Sequence, residues 1–131
     1  TGASFGFSPA VRADGVTPAA DPHLPQPLWF KDYAVDVEQA DPDSMYTLYH
    51  AALAIRQESL TATRDTTAEQ VGMGDDVVAY TRAAVGGRVF TSITNFGNAP
   101  IALPDGSVVL ASGPLTPEGQ LPTDTSAWVV Q

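Results

Sequence analysis

The 131-residue sequence has no cysteine and only two histidines, His23 and His50. Without thiols there is neither a disulfide framework nor a thiolate metal site, a composition that fits the cytoplasm. Basic residues are scarce: 6 Lys and Arg stand against 15 Asp and Glu, a net charge of −9. Nucleic acid and anionic membrane both call for clustered Lys and Arg, so neither is an expected partner. Long apolar runs are missing too, and no stretch reaches the roughly 20 residues that span a bilayer. Nothing at the N-terminus resembles a signal peptide. The chain opens on Thr1-Gly2 rather than Met, which leaves room for a signal upstream; the expected location is the cytoplasm.

What is present is 44 % hydrophobic residues, enough for a real core in a chain of single-domain size. Residues 1–40 carry little periodicity and are broken by Pro9, Pro18, Pro22, Pro25 and Pro27, a loop composition. They also hold Phe5, Phe7, Leu24, Leu28, Trp29, Phe30 and Tyr33, more apolar surface than a disordered linker carries. Such a loop is expected to pack on a partner surface that this chain lacks in part.

A helix follows in "ADPDSMYTLYHAALAIRQESL", with Asp41 expected as N-cap and Pro42 at the first helical position. Met45, Leu48, Tyr49, Ala52, Leu53, Ile55 and Arg56 recur at three- and four-residue steps. After Leu60 the pattern becomes short β-rich runs between turns. "DVVAYTR" (76–82) and "RVFTSIT" (88–94) flank Gly86-Gly87 and predict a hairpin. "IAL" (101–103) and "SVVLAS" (107–112) are joined through Pro104-Asp105-Gly106, and "SAWVV" (126–130) closes the chain.

Gly6-Phe7-Ser8-Pro9-Ala10 has the outline of a nucleophile elbow. Pro9, however, has no N–H to give an oxyanion hole, so Ser8 is not expected to be catalytic. His50 is expected on the solvent side of the helix, and His23 has no neighbour at ligand spacing, so no metal site is expected. "DPDS" lacks the Gly and bidentate Glu of a calcium loop and reads more simply as a helix start. Asp36, Glu38, Asp65, Glu69, Asp75, Asp76, Glu118 and Asp124 are acidic candidates. Glycosidase chemistry needs two carboxyls facing one bond, and most of these sit among turn residues, where solvation accounts for them. Phe5, Phe7, Trp29 and Phe30 could stack on sugar rings, with packing against a neighbouring domain the preferred account.

Together, "GFSP" (6–9), "LPQP" (24–27), "VDVEQADPDSMYTLYHAALAIR" (35–56), "NFGNAPIALPDGSVVLASG" (95–113) and "LPTDTSAWV" (121–129) carry a resemblance. They resemble the C-terminal part of the α-glucosidase/oligo-1,6-glucosidase branch of the alpha-amylase superfamily of glycoside hydrolases, its actinobacterial members especially. The most specific piece is a short extended "VxVEQ"-like segment followed by "DPDS" and a helix reading "LYxxALxIR".

The resemblance implies a mainly β chain with one long helix. Residues 1–60 would be the final loop and last helix of an incomplete (β/α)8 barrel, and residues 61–131 an antiparallel Greek-key β-sandwich. Enzymes of this kind cleave α-glucosidic bonds with retention, through an Asp nucleophile, a Glu acid/base and a second Asp. The motifs bearing those residues have no counterpart here, so the implied chain is non-catalytic by itself and buttresses the barrel, its missing partner. Because barrel active sites lie on the loops after the strands, Phe5, Phe7 and His23 become candidates for the substrate entrance. His23 stands where related sequences lead one to expect an aromatic. No cofactor is implied. The alternatives are a free-standing carbohydrate-binding β-sandwich using Trp29 or Trp128, and a fragment of a related transglucosylase or sucrose isomerase. Self-association through the helix stripe is a further expectation.

Overall fold

A computed structural model describes residues 27–60 and 67–131 of the chain. The chain divides into two compact units, Thr1–His50 and Ala51–Gln131, and each is described by itself. The expected mainly β chain with one long helix is what forms, built on a five-stranded antiparallel sheet.

In the first unit a 3-10 helix, Leu28–Tyr33, leads into helix α1, Val35–Ala40. The sequence reading had the "VxVEQ" piece extended, and this is corrected. Val35 and Val37 mimic strand alternation, but Asp36 and Glu38 fall in the first turn, where carboxylates complement the helix dipole. Main-chain bonds from Val37 and Glu38 to the Ala34 carbonyl, both 2.9 Å, close that turn. Helix α2, Met45–Leu60, begins later than expected. Asp41 does not cap it: its Oδ1 accepts from the Asp43 N–H at 2.9 Å, a local turn that uses up the side chain.

The second unit is built on strands β1 (Glu69–Val71), β2 (Val77–Ala83), β3 (Val89–Asn95), β4 (Ser107–Ala111) and β5 (Thr125–Val130), in the order β1-β2-β3-β5-β4. The β2–β3 hairpin falls where the Gly-Gly pair placed it. Gly86 and Gly87 have φ of 77° and 74°, the left-handed region that glycine enters without penalty. β4 takes the edge, and β5 returns between it and β3, so the chain skips one strand position between β3 and β4. "IAL" is not a strand: Ile101 makes an isolated bridge to Leu121. β1 was not foreseen, because "EQV" is too short and too polar to show an alternation.

Period-2 geometry sends Val77, Ala79, Ile93, Asn95, Ala127 and Val129 to one face. The cross-strand row Ala79, Ile93, Ala127, Ala111 is mostly alanine, which leaves height for a second layer. That layer comes from the connections rather than from strands: Leu121 is fully buried, and Met73, Ile101, Leu103 and Leu115 pack around it. Each large side chain so buried contributes about 1.5–3 kcal/mol. Asn95, also fully buried, ties the layers together. Its Nδ2 donates to the carbonyls of Ala99 (2.9 Å) and Leu121 (3.2 Å), and its Oδ1 accepts from the Gly97 N–H (2.9 Å).

The opposite face holds a second cluster of Ala84, Phe90 and Val130, covered by Ile55, Leu60 and Trp128. The register of Trp128 places it opposite Ser92 and Leu110 on the other face, half-buried and edge-on to Phe90 at 5.3 Å.

Asn95→Ala should cost about 2–4 kcal/mol in urea denaturation, since it removes the partner of the Gly97 N–H and of the Ala99 carbonyl, takes one of two donors from the Leu121 carbonyl and leaves a void. Asn95→Asp gives a sharper check. Burial against two carbonyls would raise the folded-state pKa of the new carboxyl above the ordinary value of about 3.9. The variant should therefore come nearest to wild-type stability below about pH 4 and lose it as pH rises through the raised value. Gly106, at φ 133°, faces the Val130 carbonyl 2.7 Å from where a Cβ would stand. Gly106→Ala should lower the denaturation midpoint through backbone strain and collision with the Val130 carbonyl and the Val129 side chain.

Candidate functional site

Of the residues singled out in the sequence, Phe5, Phe7, Ser8, His23 and Asp65 lie outside the described residues. His50 is exposed on α2, as expected, with its ring stacked on Tyr46 at 6.2 Å and 15°. Among the described residues no group of three or more His, Asp or Glu is placed to hold a metal ion, and no helix is long and apolar enough to cross a membrane. Asp75 and Asp76 occupy the turn before β2, and Glu118 and Asp124 occupy later turns. Glu69 departs from the turn reading: it lies in β1, directly opposite Thr81 of β2.

The "VDVEQADPDS" motif proves to be a joint between two helices. Ser44 is the N-cap of α2, its Oγ accepting from the Thr47 N–H at 3.1 Å, three residues on. The same hydroxyl donates to the Glu38 carbonyl at 2.6 Å. Glu38 Oε2 accepts from the Tyr46 N–H at 3.1 Å, placing a carboxylate at the positive end of the helix. Thr47 Oγ1 donates to the Asp41 carbonyl at 2.9 Å, and Gln39 Nε2 donates to the Tyr46 hydroxyl at 2.8 Å. These polar groups are occupied in holding α1 to the start of α2. Glu38 in particular is a structural carboxylate here.

Aromatic candidates divide by setting. Trp29 is 57 % exposed, with Phe30 and Tyr33 edge-on at 4.5 and 5.9 Å. Trp128 is half-buried and packs edge-on to Phe90 against the second cluster. On α2, Met45, Tyr49 and Leu53 form an i, i+4, i+8 row at 59–63 % exposure, so the apolar stripe seen in the sequence stays largely uncovered.

A groove of about 500 Å³ at the β1–β2 edge has no local signature in the sequence. Thr67, Glu69, Thr81, Gly87, Arg88 and Val89 line it. The residues come from three separate segments, and only the strand register joins them: Glu69 to Thr81, and Ala83 to Val89.

Ser44→Ala should lower the thermal midpoint of α2 by an amount equivalent to about 1 kcal/mol, followed by far-ultraviolet circular dichroism. Ser44→Asp, which restores an acceptor at the cap, should recover most of that loss.

No protein-family model and no curated protein sequence matches the chain. Solved structures of trehalulose synthase MutB do share its fold. The enzyme from Pseudomonas mesoacidophila MX-45 aligns with a TM-score of 0.67 and 24 % identity, over 95 % of this chain and 24 % of its own. A MutB mutant in complex with TRIS gives 0.68 and 24 %, over 97 % of this chain and 25 % of its own. One in complex with the substrate sucrose gives 0.65 and 25 %, over 91 % and 24 %. The chain spans about a quarter of the length of these structures, and at such identities the likeness establishes a shared fold.

Proposed function

We propose that the chain is the C-terminal part of a retaining glycoside hydrolase of the alpha-amylase superfamily acting on α-glucosides. Residues 1–60 would supply the last loop and helix of its barrel, and residues 61–131 its β domain. The observation that carries this reading is the fold match: nearly the whole chain aligns with a quarter of trehalulose synthase MutB. The stretch that carries the resemblance also forms a hydrogen-bonded joint between two helices.

In this reading the chain's role is structural. Retaining glycoside chemistry needs two carboxyls about 5–5.5 Å apart across the scissile bond, and these belong to barrel strands preceding residue 1. The β domain, with its own core around Ile93 and Leu121, buttresses the barrel. The first loop lies on the active-site face, where Phe5, Phe7 and His23 frame the substrate entrance. The row Met45, Tyr49 and Leu53 is the surface that remaining barrel elements would cover. Freed of them, the 131-residue chain should self-associate through that row, since exposed apolar patches favour association.

A second reading, favoured by MutB being a trehalulose synthase, is that the whole protein isomerises sucrose rather than hydrolysing α-glucosides. Both reactions begin with the same glycosyl-enzyme step and differ in what attacks it.

A chromogenic α-glucoside should be untouched by the 131-residue chain and turned over by the chain extended toward its N-terminus. Turnover by the 131 residues alone would overturn the non-catalytic assignment. Product analysis with sucrose then separates the readings: free glucose and fructose indicate hydrolysis, an isomeric disaccharide indicates isomerisation.

A further inference from the structure

We infer that the turn Pro104-Asp105-Gly106 is a site of spontaneous covalent modification, where Asp105 cyclises onto the Gly106 nitrogen and reopens as isoaspartate, with the Gln131 side chain assisting. Ring closure needs a carboxyl free of partners, a following main-chain nitrogen equally free, and no side chain crowding that nitrogen. Asp14 and Asp105 are the aspartates that precede glycine, and Asp14 lies outside the described residues. Asp105 is exposed, and among the described residues none bonds to its carboxyl or to the Gly106 N–H. Asp43 makes the contrast. Its successor Ser44 carries a side chain, and the Ser44 N–H donates to the Asp41 carbonyl at 3.3 Å. At Gly106 a Cβ would stand 2.7 Å from the Val130 carbonyl oxygen, with φ at 133°. The turn therefore requires glycine, the residue that leaves its own nitrogen least shielded.

Gln131 supplies the activation. Its Nε2 donates to the Asp105 carbonyl, which is conjugated with the Gly106 nitrogen; a donor there draws electron density out of the amide and makes its N–H more acidic. The neutral form of the Asp105 carboxyl is the electrophile. The Gly106 nitrogen bonds to Cγ and gives up its proton, the Cγ–OH bond breaks, and a water leaves as the five-membered succinimide closes. Water then adds back to the ring. Opening at Cγ restores aspartate, whereas opening at the original carbonyl carbon routes the main chain through Cβ and Cγ and leaves that carbon as a free carboxylate. No oxidant or other reactant enters, and the mass is unchanged. The product fits the turn poorly. It places an added methylene in the main chain just before Ser107, the first residue of β4 and the partner of Val130, and it takes away the carbonyl that Gln131 holds. Strand β4 lies at the sheet edge with β5 as its neighbour, so isoaspartate at 105 should loosen β4 from β5.

The inference rests on this turn alone, so its failure would leave the barrel assignment untouched, and the converse also holds. The test is incubation of the folded 131-residue chain at mildly acidic pH, below its unfolding midpoint, beside a synthetic peptide of residues 101–110. Isoaspartate is read by transfer of a labelled methyl group from S-adenosylmethionine by an isoaspartyl O-methyltransferase. Electron-transfer fragmentation then places it, which separates Asp105 from Asp14. Conversion is expected at 105 in the folded chain and is abolished in Asp105→Glu, whose larger ring closes far more slowly. Gln131→Met keeps the length of the side chain and loses the donor; it should slow conversion by about threefold or more. Both native side chains are exposed, so the variants should keep the wild-type circular dichroism spectrum. Converted chains should show faster amide hydrogen exchange in β4, with β2 and β3 unchanged. The proposal is overturned if the folded chain carries no isoaspartate at 105 when the peptide is half converted. The role given to Gln131 is overturned if Gln131→Met converts as fast as wild type.

Discussion

The second unit depends on one buried amide. A five-stranded sheet with alanine at Ala79, Ala111 and Ala127 cannot form a core with itself. It needs apolar side chains delivered from above, and here they come from loops. A loop laid over a sheet brings its backbone N–H and C=O groups into a dry layer, where each must find a partner. Asn95 supplies three of those partners at once, to Gly97, Ala99 and Leu121. The Leu121 carbonyl also accepts from the Ile101 N–H at 3.0 Å, so one amide and one bridge together seat the two long connections. The side chain of Leu121 is buried because its backbone is held there.

The two sheet faces follow from this arrangement. The loop-covered face is closed by Leu121 and its neighbours, while the other is covered at one end only, where Ile55 and Leu60 meet Phe90 and Val130. Toward the other end Val78 and Tyr80 stay 38 % and 46 % exposed. Thr94, directly opposite Val78, and Ser126 in the strand beyond it bond to each other at 2.8 Å. A face of alternating apolar and hydroxyl side chains tolerates water better than a wholly apolar one, so it does not force the unit to associate.

How much of this was legible in the sequence follows the range of the interactions. Local patterns read correctly: the alternation in β2 and β3, the Gly86-Gly87 turn, the last strand, the helical repeat from Met45 and the solvent-facing His50. What could not be read were competitions between alternatives of similar local merit. Asp41 and Ser44 are both good caps, and the choice was made by Glu38, whose carbonyl and carboxylate reach Ser44 and Tyr46 from the preceding helix. Trp128 alternates with Ala127 and Val129, and only the β3–β5 register says which set faces the loops. Ile101 could have paired with β4 through its turn; Leu121, twenty residues on, took it instead. The groove was invisible for the same reason, since its members are adjacent through register and never in sequence.

The helix joint bears on what a family resemblance can carry. The most specific stretch, 35–56, spends its polar residues on itself: Glu38 and Ser44 bond across the joint, Asp41 serves its own turn, and Gln39 is held by Tyr46. Such a stretch reports architecture, because changing Glu38 or Ser44 removes the acceptor of a main-chain N–H at the start of α2. It reports nothing of the bond that a parent enzyme breaks, which depends on carboxylates elsewhere. Enzymes that hydrolyse α-glucosides and enzymes that isomerise sucrose could therefore share this stretch and differ in reaction, the attacking group being chosen by side chains around the glycosyl intermediate. The resemblance and the fold match accordingly bear on the scaffold first, and the reaction has to be read from product chemistry.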